Sequence, residues 1–136
     1  MLDVNALVAL VWDSHVHHAR MRAWFTENEA SGWATCPVTE SGFVRVSSNP
    51  KALPSALGVA AARTVLAALR TRDGHRFLSD DVSPTDDDVP PIHGYRQVTD
   101  AHLLTLARRA GLILLTFDAG IHALARGQDV ELLTMS

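Results

Sequence analysis

The sequence predicts an α/β fold in which a parallel sheet is covered by helices on both faces. Short apolar segments, such as residues 112–116, alternate with longer segments whose apolar residues have helical spacing. The short segments are nearly continuous in apolar character, which is typical of strands buried on both faces of a parallel sheet. Together these observations favour a three-layer α/β/α arrangement.

The predicted elements follow one another along the whole chain. They are strand 1–3, helix 6–12, helix 15–28, strand 33–36, helix 37–48, a helix from Pro54 to about 72, strand 75–78, loop 79–91, helix 97–110, strand 112–116, helix 119–125 and strand 130–134. The first strand is the shortest, and we therefore expect it to hold the residue at its end less firmly than the other strands do.

Residues at several predicted helix ends suit their positions. The pair Asp13 and Ser14 and, separately, Thr99 are candidate N-caps, because their side chains can accept a hydrogen bond from the first helical turn. Pro37 is favoured at the first position of a helix. Gly111 is a candidate C-terminal cap, where left-handed backbone is common.

Length and composition indicate one globular domain over residues 1–136. The chain has 136 residues, of which 47% are hydrophobic and 20% charged. A chain of this size buries roughly two-thirds of the surface that its unfolded form exposes, which is enough for a substantial core. We find no internal repeat or low-complexity segment.

Charge and cysteine content restrict the partners and the compartment. The formal net charge is −3, and Lys51 is the only lysine among the 12 basic residues, so direct DNA binding by this chain alone is not expected. Cys36 is the only cysteine, and the sequence has neither a signal peptide nor an apolar run of membrane-spanning length. We expect a cytoplasmic protein that does not associate with membranes.

Four acidic residues are predicted to meet at one edge of the sheet. Asp3 and Asp118 directly follow apolar strand residues, whereas Glu40 and Asp100 lie in the first turns of helices that start at the same edge. In open parallel sheets, the ligand crevice lies outside the carboxyl ends of the strands. Each acid alone could be explained by the favourable position of an acid at a helix N-terminus, so the prediction rests on the set.

The donor chemistry of this set favours a hard divalent ion. Neighbouring carboxylates repel one another unless protons or a cation compensate their charge. Oxygen ligands without cysteine or paired histidine are typical of Mg²⁺ or Mn²⁺ rather than zinc. Such ions promote attack of water on phosphorus, so the expected reaction is phosphodiester hydrolysis.

Four segments of the chain resemble the acidic motifs of PIN-domain ribonucleases, in order and with similar spacing. They read LDVN from residue 2, PVTESG from residue 37, VTDA from residue 98 and TFD from residue 116. The segment RVSSNP over residues 45–50 is similar to one found in a subset of VapC toxins from bacterial toxin–antitoxin pairs.

The resemblance implies a function, a site and partners. It implies a Mg²⁺-dependent endoribonuclease, with Mn²⁺ as a possible substitute, whose catalytic residues are Asp3, Glu40, Asp100 and Asp118. The metal ligands would be Asp3, Asp100 and Asp118. The implied partners are RNA, a VapB-type antitoxin that occupies the active-site groove, and a second copy of the chain in a homodimer. DNA would be reached only indirectly, through the antitoxin.

Four further residues are candidates for supporting roles. Arg96 lies in the loop before Asp100, and Arg45 follows Glu40 by about one helical turn, so either arginine could contact RNA phosphate. Arg45 could instead pair with a nearby acid. Asn5 and Thr116 are adjacent in sequence to the acids and could hold them or a water near the ion.

Two other groups of polar residues are predicted to be solvent-exposed rather than functional. His15, His17 and His18 lie near a helix start without an acidic partner motif. The aspartates between residues 80 and 88 lie in a polar loop interrupted by prolines. Trp12, Trp24 and Phe25 are expected either in the core or in contacts with a partner chain.

Two rival functions remain open at this level. The first is a catalytically silent PIN-like module that only binds an antitoxin for operator autoregulation. The second is a phosphatase of the haloacid dehalogenase type, which also places an acid after its first strand. The latter mechanism needs a second aspartate at the position of Asn5 and a lysine near the phosphate, and Lys51 is predicted to lie in a turn.

Overall fold

Parallel strands and helices alternate along the chain, as seen in a computed structural model that describes residues 1–125 and 130–133. The helices are α1 (Val4–Val11), α2 (His18–Asn28), α3 (Pro37–Ser47), α4 (Val59–Arg70), α5 (Val98–Arg109) and α6 (Ala119–Leu124). The strands are β1 (Trp33–Thr35), β2 (His75–Phe77), β3 (Leu114–Thr116) and β4 (Val130–Leu132). Short 3₁₀ segments lie at Glu29–Ser31 and Tyr95–Gln97.

The N-terminal segment joins two parallel strand pairs into one layer. Strand β1 pairs with β2, and β3 pairs with β4. Between the pairs, the Leu2 amide donates to the Ala34 carbonyl at 3.0 Å, and Leu2 forms a parallel bridge with Leu115. The Asp3 amide donates to the Leu115 carbonyl at 3.1 Å. The first strand is thus short but bonded on both sides, which is firmer support than its length led us to expect.

Each face of this layer carries its own apolar core. On one face, Leu2 and Leu115 pack with residues of α1, α2, α3 and α4, including the fully buried Phe43. On the other face, Met1 and Leu114 pack with residues of α5 and α6. Successive strand residues point to opposite faces, so β1 contributes Trp33 to the first core and Ala34 to the second. The predicted three-layer α/β/α fold is confirmed.

Several element boundaries differ from the sequence prediction. Helix α2 begins at His18 rather than near residue 15, and its N-cap His17 makes no side-chain capping bond. Helix α4 begins at Val59 instead of Pro54, because Leu57 is still bonded to the Ser47 carbonyl at the end of α3. Thr99 is not an N-cap, since a 3₁₀ turn runs directly into α5.

Of the remaining element boundaries, some agree with the prediction and one lies outside the residues that the structure describes. The C-terminal cap at Gly111 is confirmed by its left-handed backbone, with φ of 70°. The predicted last strand is confirmed as β4, while its predicted end at residue 134 lies outside the described residues.

The polar loop before α5 is tied to that helix by ion pairs from Arg109 and by a hydrogen bond between His102 and Asp80. Asp80 contacts His102 at 2.6 Å, and Arg109 contacts Asp86 at 2.8 Å and Asp88 at 2.6 Å. The prediction that these loop aspartates are simply solvent-exposed is wrong for Asp80, whose side chain is only 12% exposed. The loop therefore has a structural role beside the helix that carries Asp100.

Within the described ranges, none of the helices combines the length and the apolar character that crossing a membrane requires.

Gly42 allows α1 and α3 to approach closely behind Asp3. A Cβ atom at Gly42 would lie 2.5 Å from Cγ2 of Val4, a β-branched side chain with little rotational freedom in a helix. Replacing Gly42 by alanine is expected to lower the free energy of unfolding by about 1–2 kcal/mol, because overpacking outweighs the gain in helix propensity. Urea denaturation would measure the loss.

Gly94→Ala is the matched control for this prediction. Gly94 has an extended backbone, and a Cβ atom there meets nothing within 4 Å. Its substitution should change the unfolding free energy by less than about 0.5 kcal/mol. Equal effects of the two substitutions would show that the α1–α3 contact is not tight.

Candidate active site

Asp3 is buried at the start of α1, where the first strand ends. Its carboxylate accepts a hydrogen bond from the Ala6 amide at 2.7 Å, so it is also the N-cap of the helix. Burial is the largest influence on this group and, with the charges of Asp100 and Asp118, raises the pKa of Asp3 to about 6. The hydrogen bonds from Thr116 and Ala6 act in the opposite direction.

Thr116 connects two of the predicted acids. It is fully buried at the end of β3 and donates its hydroxyl hydrogen to the second carboxylate oxygen of Asp3 at 2.5 Å. The same hydroxyl oxygen accepts a hydrogen bond from the Asp118 amide at 2.9 Å. The side chain of Thr116 thereby fixes the carboxylate of Asp3 relative to the backbone of Asp118.

Asp100 and Asp118 face the same region from different elements. Asp100 lies in the first turn of α5, and burial followed by the charge of Asp118 raises its pKa. Asp118 follows β3, and its Oδ1 accepts a hydrogen bond from the Gly120 amide at 2.7 Å. Among the described residues, no cationic side chain forms an ion pair with Asp3, Asp100 or Asp118.

Glu40 lies in the first turn of α3 with a different set of partners. Its Oε2 accepts a hydrogen bond from the Thr35 hydroxyl at 2.6 Å and lies 3.5 Å from Nε of Arg70. The ring of His75 contacts the same Thr35 hydroxyl oxygen through Nε2 at 2.8 Å. Since that hydroxyl donates to Glu40, His75 must donate to it, which assigns the proton of the neutral ring to Nε2.

The electrostatics of His75 agree with a neutral ring. Burial, followed by the charge of Arg70, lowers the pKa of His75, and the charge of Glu40 opposes this shift. Thr35 is fully buried in β1, and its hydroxyl group links the ring of His75 to the carboxylate of Glu40 by two hydrogen bonds. Sequence analysis did not identify Thr35 and His75, because their contact depends on the pairing of β1 with β2.

The four predicted acids are thus not equally close. The charges of Asp100 and Asp118 help to raise the pKa of Asp3, and the charge of Asp118 helps to raise that of Asp100, whereas Glu40 is not among the charges that shift either pKa. In residues 1–125 and 130–133, no three histidine, cysteine, aspartate or glutamate side chains converge closely enough to form a ready-made metal site. Mg²⁺ commonly uses one or two carboxylates and keeps several waters, so an open arrangement of oxygen donors fits it.

The four supporting candidates occupy different environments. Arg45 and Arg96 are exposed, and Arg96 lies against Tyr95, with 3.3 Å between its Nε and the Tyr95 hydroxyl oxygen. Asn5 is exposed on α1, and only Thr116 among the four bonds directly to one of the acids.

A histidine that was predicted to be solvent-exposed lies next to the site. The ring of His17 stacks on Phe117, with centroids 4.2 Å apart and 5° between the planes. His17 Nδ1 is buried and has no hydrogen-bond partner in the part of the chain that the structure describes. Phe117 is the residue before Asp118, so the stack supports the turn that carries this acid. The sequence holds no local signal for a contact between positions 17 and 117.

Removing the Thr35 hydroxyl should destabilise the protein. In Thr35→Val, the shape of the strand residue is kept while Glu40 and His75 lose their common partner. We expect the unfolding free energy to fall by about 1–3 kcal/mol, because buried polar groups are left unpaired. Chemical denaturation would measure this, and Thr35→Ser should restore most of the loss.

Thr105→Val is the matched control. Thr105 is equally buried, but its hydroxyl donates only to the Ala101 carbonyl of its own helix. Its replacement should cost clearly less, and a larger cost than that of Thr35→Val would contradict the role assigned to Thr35.

Comparison with known proteins places the chain in a family. The family model described as "PIN domain" matches residues 1–127. The chain is 70% identical to Ribonuclease VapC38 of Mycobacterium tuberculosis, over 99% of this chain and 98% of that protein. It is 45% identical to Ribonuclease VapC39, over 98% of each chain, and 44% identical to Ribonuclease VapC44, over 89% of this chain and 87% of that protein, both also from M. tuberculosis. The chain therefore belongs to the PIN domain family and, within it, to the VapC group.

Proposed function

We propose that this protein is an endoribonuclease and the toxin of a toxin–antitoxin pair. It hydrolyses RNA phosphodiesters with the help of Mg²⁺, for which Mn²⁺ can substitute. The observation that supports this most directly is the shared charge environment of Asp3, Asp100 and Asp118 at the carboxyl edge of the sheet, with no ion-pairing cationic side chain among the described residues. The names of the VapC relatives support the choice of RNA as substrate.

The acids differ in what they contribute. Asp3, Asp100 and Asp118 would hold the ion, Asp100 and Asp118 from more accessible positions and Asp3 from a buried position fixed by Thr116. A divalent ion held there would offset the negative charge that develops on the phosphoryl oxygens during the attack of water. Glu40, held by Thr35 and Arg70, orients or deprotonates the attacking water once the RNA strand is in place. Asn5 is too exposed to share the supporting role that we assign to Thr116.

The partners follow from the same site. A VapB-type antitoxin inhibits the enzyme by covering the acidic crevice, and DNA is contacted only through that antitoxin. We further propose that the toxin acts as a homodimer.

The direct test is cleavage of RNA by the purified chain. Total cellular RNA is incubated with the protein in Mg²⁺, in Mn²⁺ or in a chelator, and the new RNA ends are mapped by sequencing. We expect discrete ends in either metal and none in the chelator. Equal cleavage in the chelator would contradict metal dependence, and no cleavage in any condition would contradict the activity.

One observation favours a second candidate, the catalytically silent module that only binds its antitoxin. Three metal-binding side chains do not converge within the described residues, and Glu40 is already paired with Arg70. Calorimetric titration with Mn²⁺ separates the two candidates, since the enzyme should bind the ion and the silent module should not. The haloacid dehalogenase alternative has lost its support, because the chain belongs to the PIN domain family.

A further inference from the structure

A groove between α3 and α4 lies directly beside Glu40. It has a volume of about 620 Å³ and an apolar floor that includes Val44 and Leu66. It extends along α3 from Glu40 in the first turn to Ser48 at the C-cap. Eight helical residues correspond to about 12 Å, which is long enough for successive phosphates of a nucleic acid strand.

The groove is positively charged although the chain as a whole is acidic. Arg45, Arg63 and Arg70 line it, and Glu40 is its single acid. Arg70 is paired with Glu40, whereas Arg45 and Arg63 form no ion pair or hydrogen bond through their side chains with any other described residue. Two exposed guanidinium groups in one groove, without an acidic partner in the described chain, are available for an anionic ligand.

An aromatic side chain accompanies the arginines at the Glu40 end. The guanidinium carbon of Arg70 lies 4.6 Å from the centroid of the Phe77 ring, and Phe77 is 42% exposed. Arginine planes and aromatic rings provide stacking surfaces for unpaired bases, which an acidic protein segment would not require. The combination of phosphate-binding and stacking groups favours RNA over a protein partner as the occupant.

We propose that the α3–α4 groove binds the single-stranded backbone of the RNA substrate and leads it to the catalytic acids. Arg45 and Arg63 bind phosphates, and Arg70 with Phe77 contacts the nucleotide next to Glu40. The inference rests on the proposed ribonuclease function, but it concerns binding and can be tested without cleavage.

The experiment measures binding of a labelled single-stranded RNA of about 12 nucleotides, a length near common single-strand site sizes. Fluorescence anisotropy is recorded without divalent ions, in the full chain carrying Asp100→Asn so that the RNA stays intact. The arginine variants are Arg45→Gln, Arg63→Gln and the double variant. Each interrupted phosphate contact reduces the slope of log Kd against log salt concentration by about 0.7 for a single strand.

We expect at least about tenfold weaker binding by the double variant at low salt, with the salt slope reduced by about 1.4. Arg76→Gln is the matched control, because Arg76 is exposed and lies with Met1 and Leu112, on the opposite face of the sheet from this groove. It should leave the affinity unchanged. In the active protein, the double variant should raise KM and leave kcat unchanged.

Three results would overturn the inference. The first is unchanged RNA binding by the double variant, or no binding by its parent. The second is an equal loss in Arg76→Gln, which would indicate an unspecific effect of charge. The third is lost association of the double variant with the antitoxin while RNA binding persists, which would assign the groove to the protein partner. Binding through the groove without any RNA cleavage would instead support the inference and contradict the proposed ribonuclease.

Discussion

Replacing Asp100 by asparagine is expected to reduce RNA cleavage by a factor on the order of 100 or more. Asp100 is one of the more accessible acids of the site, and no other described residue donates a hydrogen bond to its carboxylate. Asparagine keeps the size of the side chain but removes the charge that attracts the ion. The measurement is the initial rate of RNA cleavage over a range of Mg²⁺ or Mn²⁺ concentrations.

The fold should survive this substitution, because burial and the nearby charge of Asp118 already disfavour an ionised Asp100. Asp87→Asn is the control, since Asp87 is an exposed loop aspartate without a bonded partner among the described residues. Asp87→Asn should cleave RNA at the parental rate. Cleavage by Asp100→Asn at the parental rate would show that the acidic site is not the catalytic centre.

Replacing Asp3 by asparagine is expected to stabilise the metal-free protein at neutral pH. Burial raises the pKa of Asp3 from 3.8 to about 6, so ionising it in the folded state costs about 3 kcal/mol. Asparagine can still accept the Ala6 hydrogen bond, but it changes the bond with Thr116. We therefore expect a net gain of about 1–2 kcal/mol at pH 7.5, measured by urea denaturation in a chelator.

The gain should depend on pH in a defined direction. The pKa of Asp3 is higher in the folded than in the unfolded protein, so the parent is not penalised below pH 3.8 and loses stability as pH rises through about 6. The advantage of Asp3→Asn should therefore vanish near pH 4. Burial also lowers the pKa of the Met1 amino group to about 6, and taking the difference between variant and parent at each pH removes most of that contribution.

Divalent ions should make the parent protein more stable than Asp3→Asn, the reverse of the order expected without metal. An ion that binds only the folded parent stabilises it according to the ratio of free ion concentration to Kd, whereas the variant binds the ion more weakly. Asp87→Asn should show neither the gain without metal nor the loss with it. A marked fall in the stability of metal-free Asp3→Asn would mean that its contacts matter more than its charge.

The positions of the acids could be predicted because each depends on local chain geometry. Asp118 follows an apolar strand and Asp100 opens an apolar helix, so the direction of parallel strands alone puts both at one edge. The environment of each acid could not be predicted in the same way. Glu40 is bonded to Thr35 and near Arg70, and these partners come from a strand and from the end of another helix.

The support of Asp3 likewise could not be predicted from local sequence. A strand of three residues has little apolar signal, and the sequence therefore indicated a weakly held acid. In the folded chain, that segment is bonded to both β1 and β3, and Thr116 fixes the carboxylate. The bonds to Leu115 and Thr116 join residues more than a hundred positions apart, which no local pattern encodes.

By itself, the sequence determined the alternation of strands and helices, the common edge of Asp3, Asp100 and Asp118, and the resemblance to PIN-domain proteins. These follow from periodicity and from motifs that are local in the chain. Only the tertiary structure decided which acids share a charge environment. It also decided that Glu40 is bonded to Thr35, which contacts His75, and lies near Arg70. Finally, it brought arginines of α3 and α4 together in one groove. Burial and charge interactions depend on distances in space, and those are set when the sheet pairs and the helices pack.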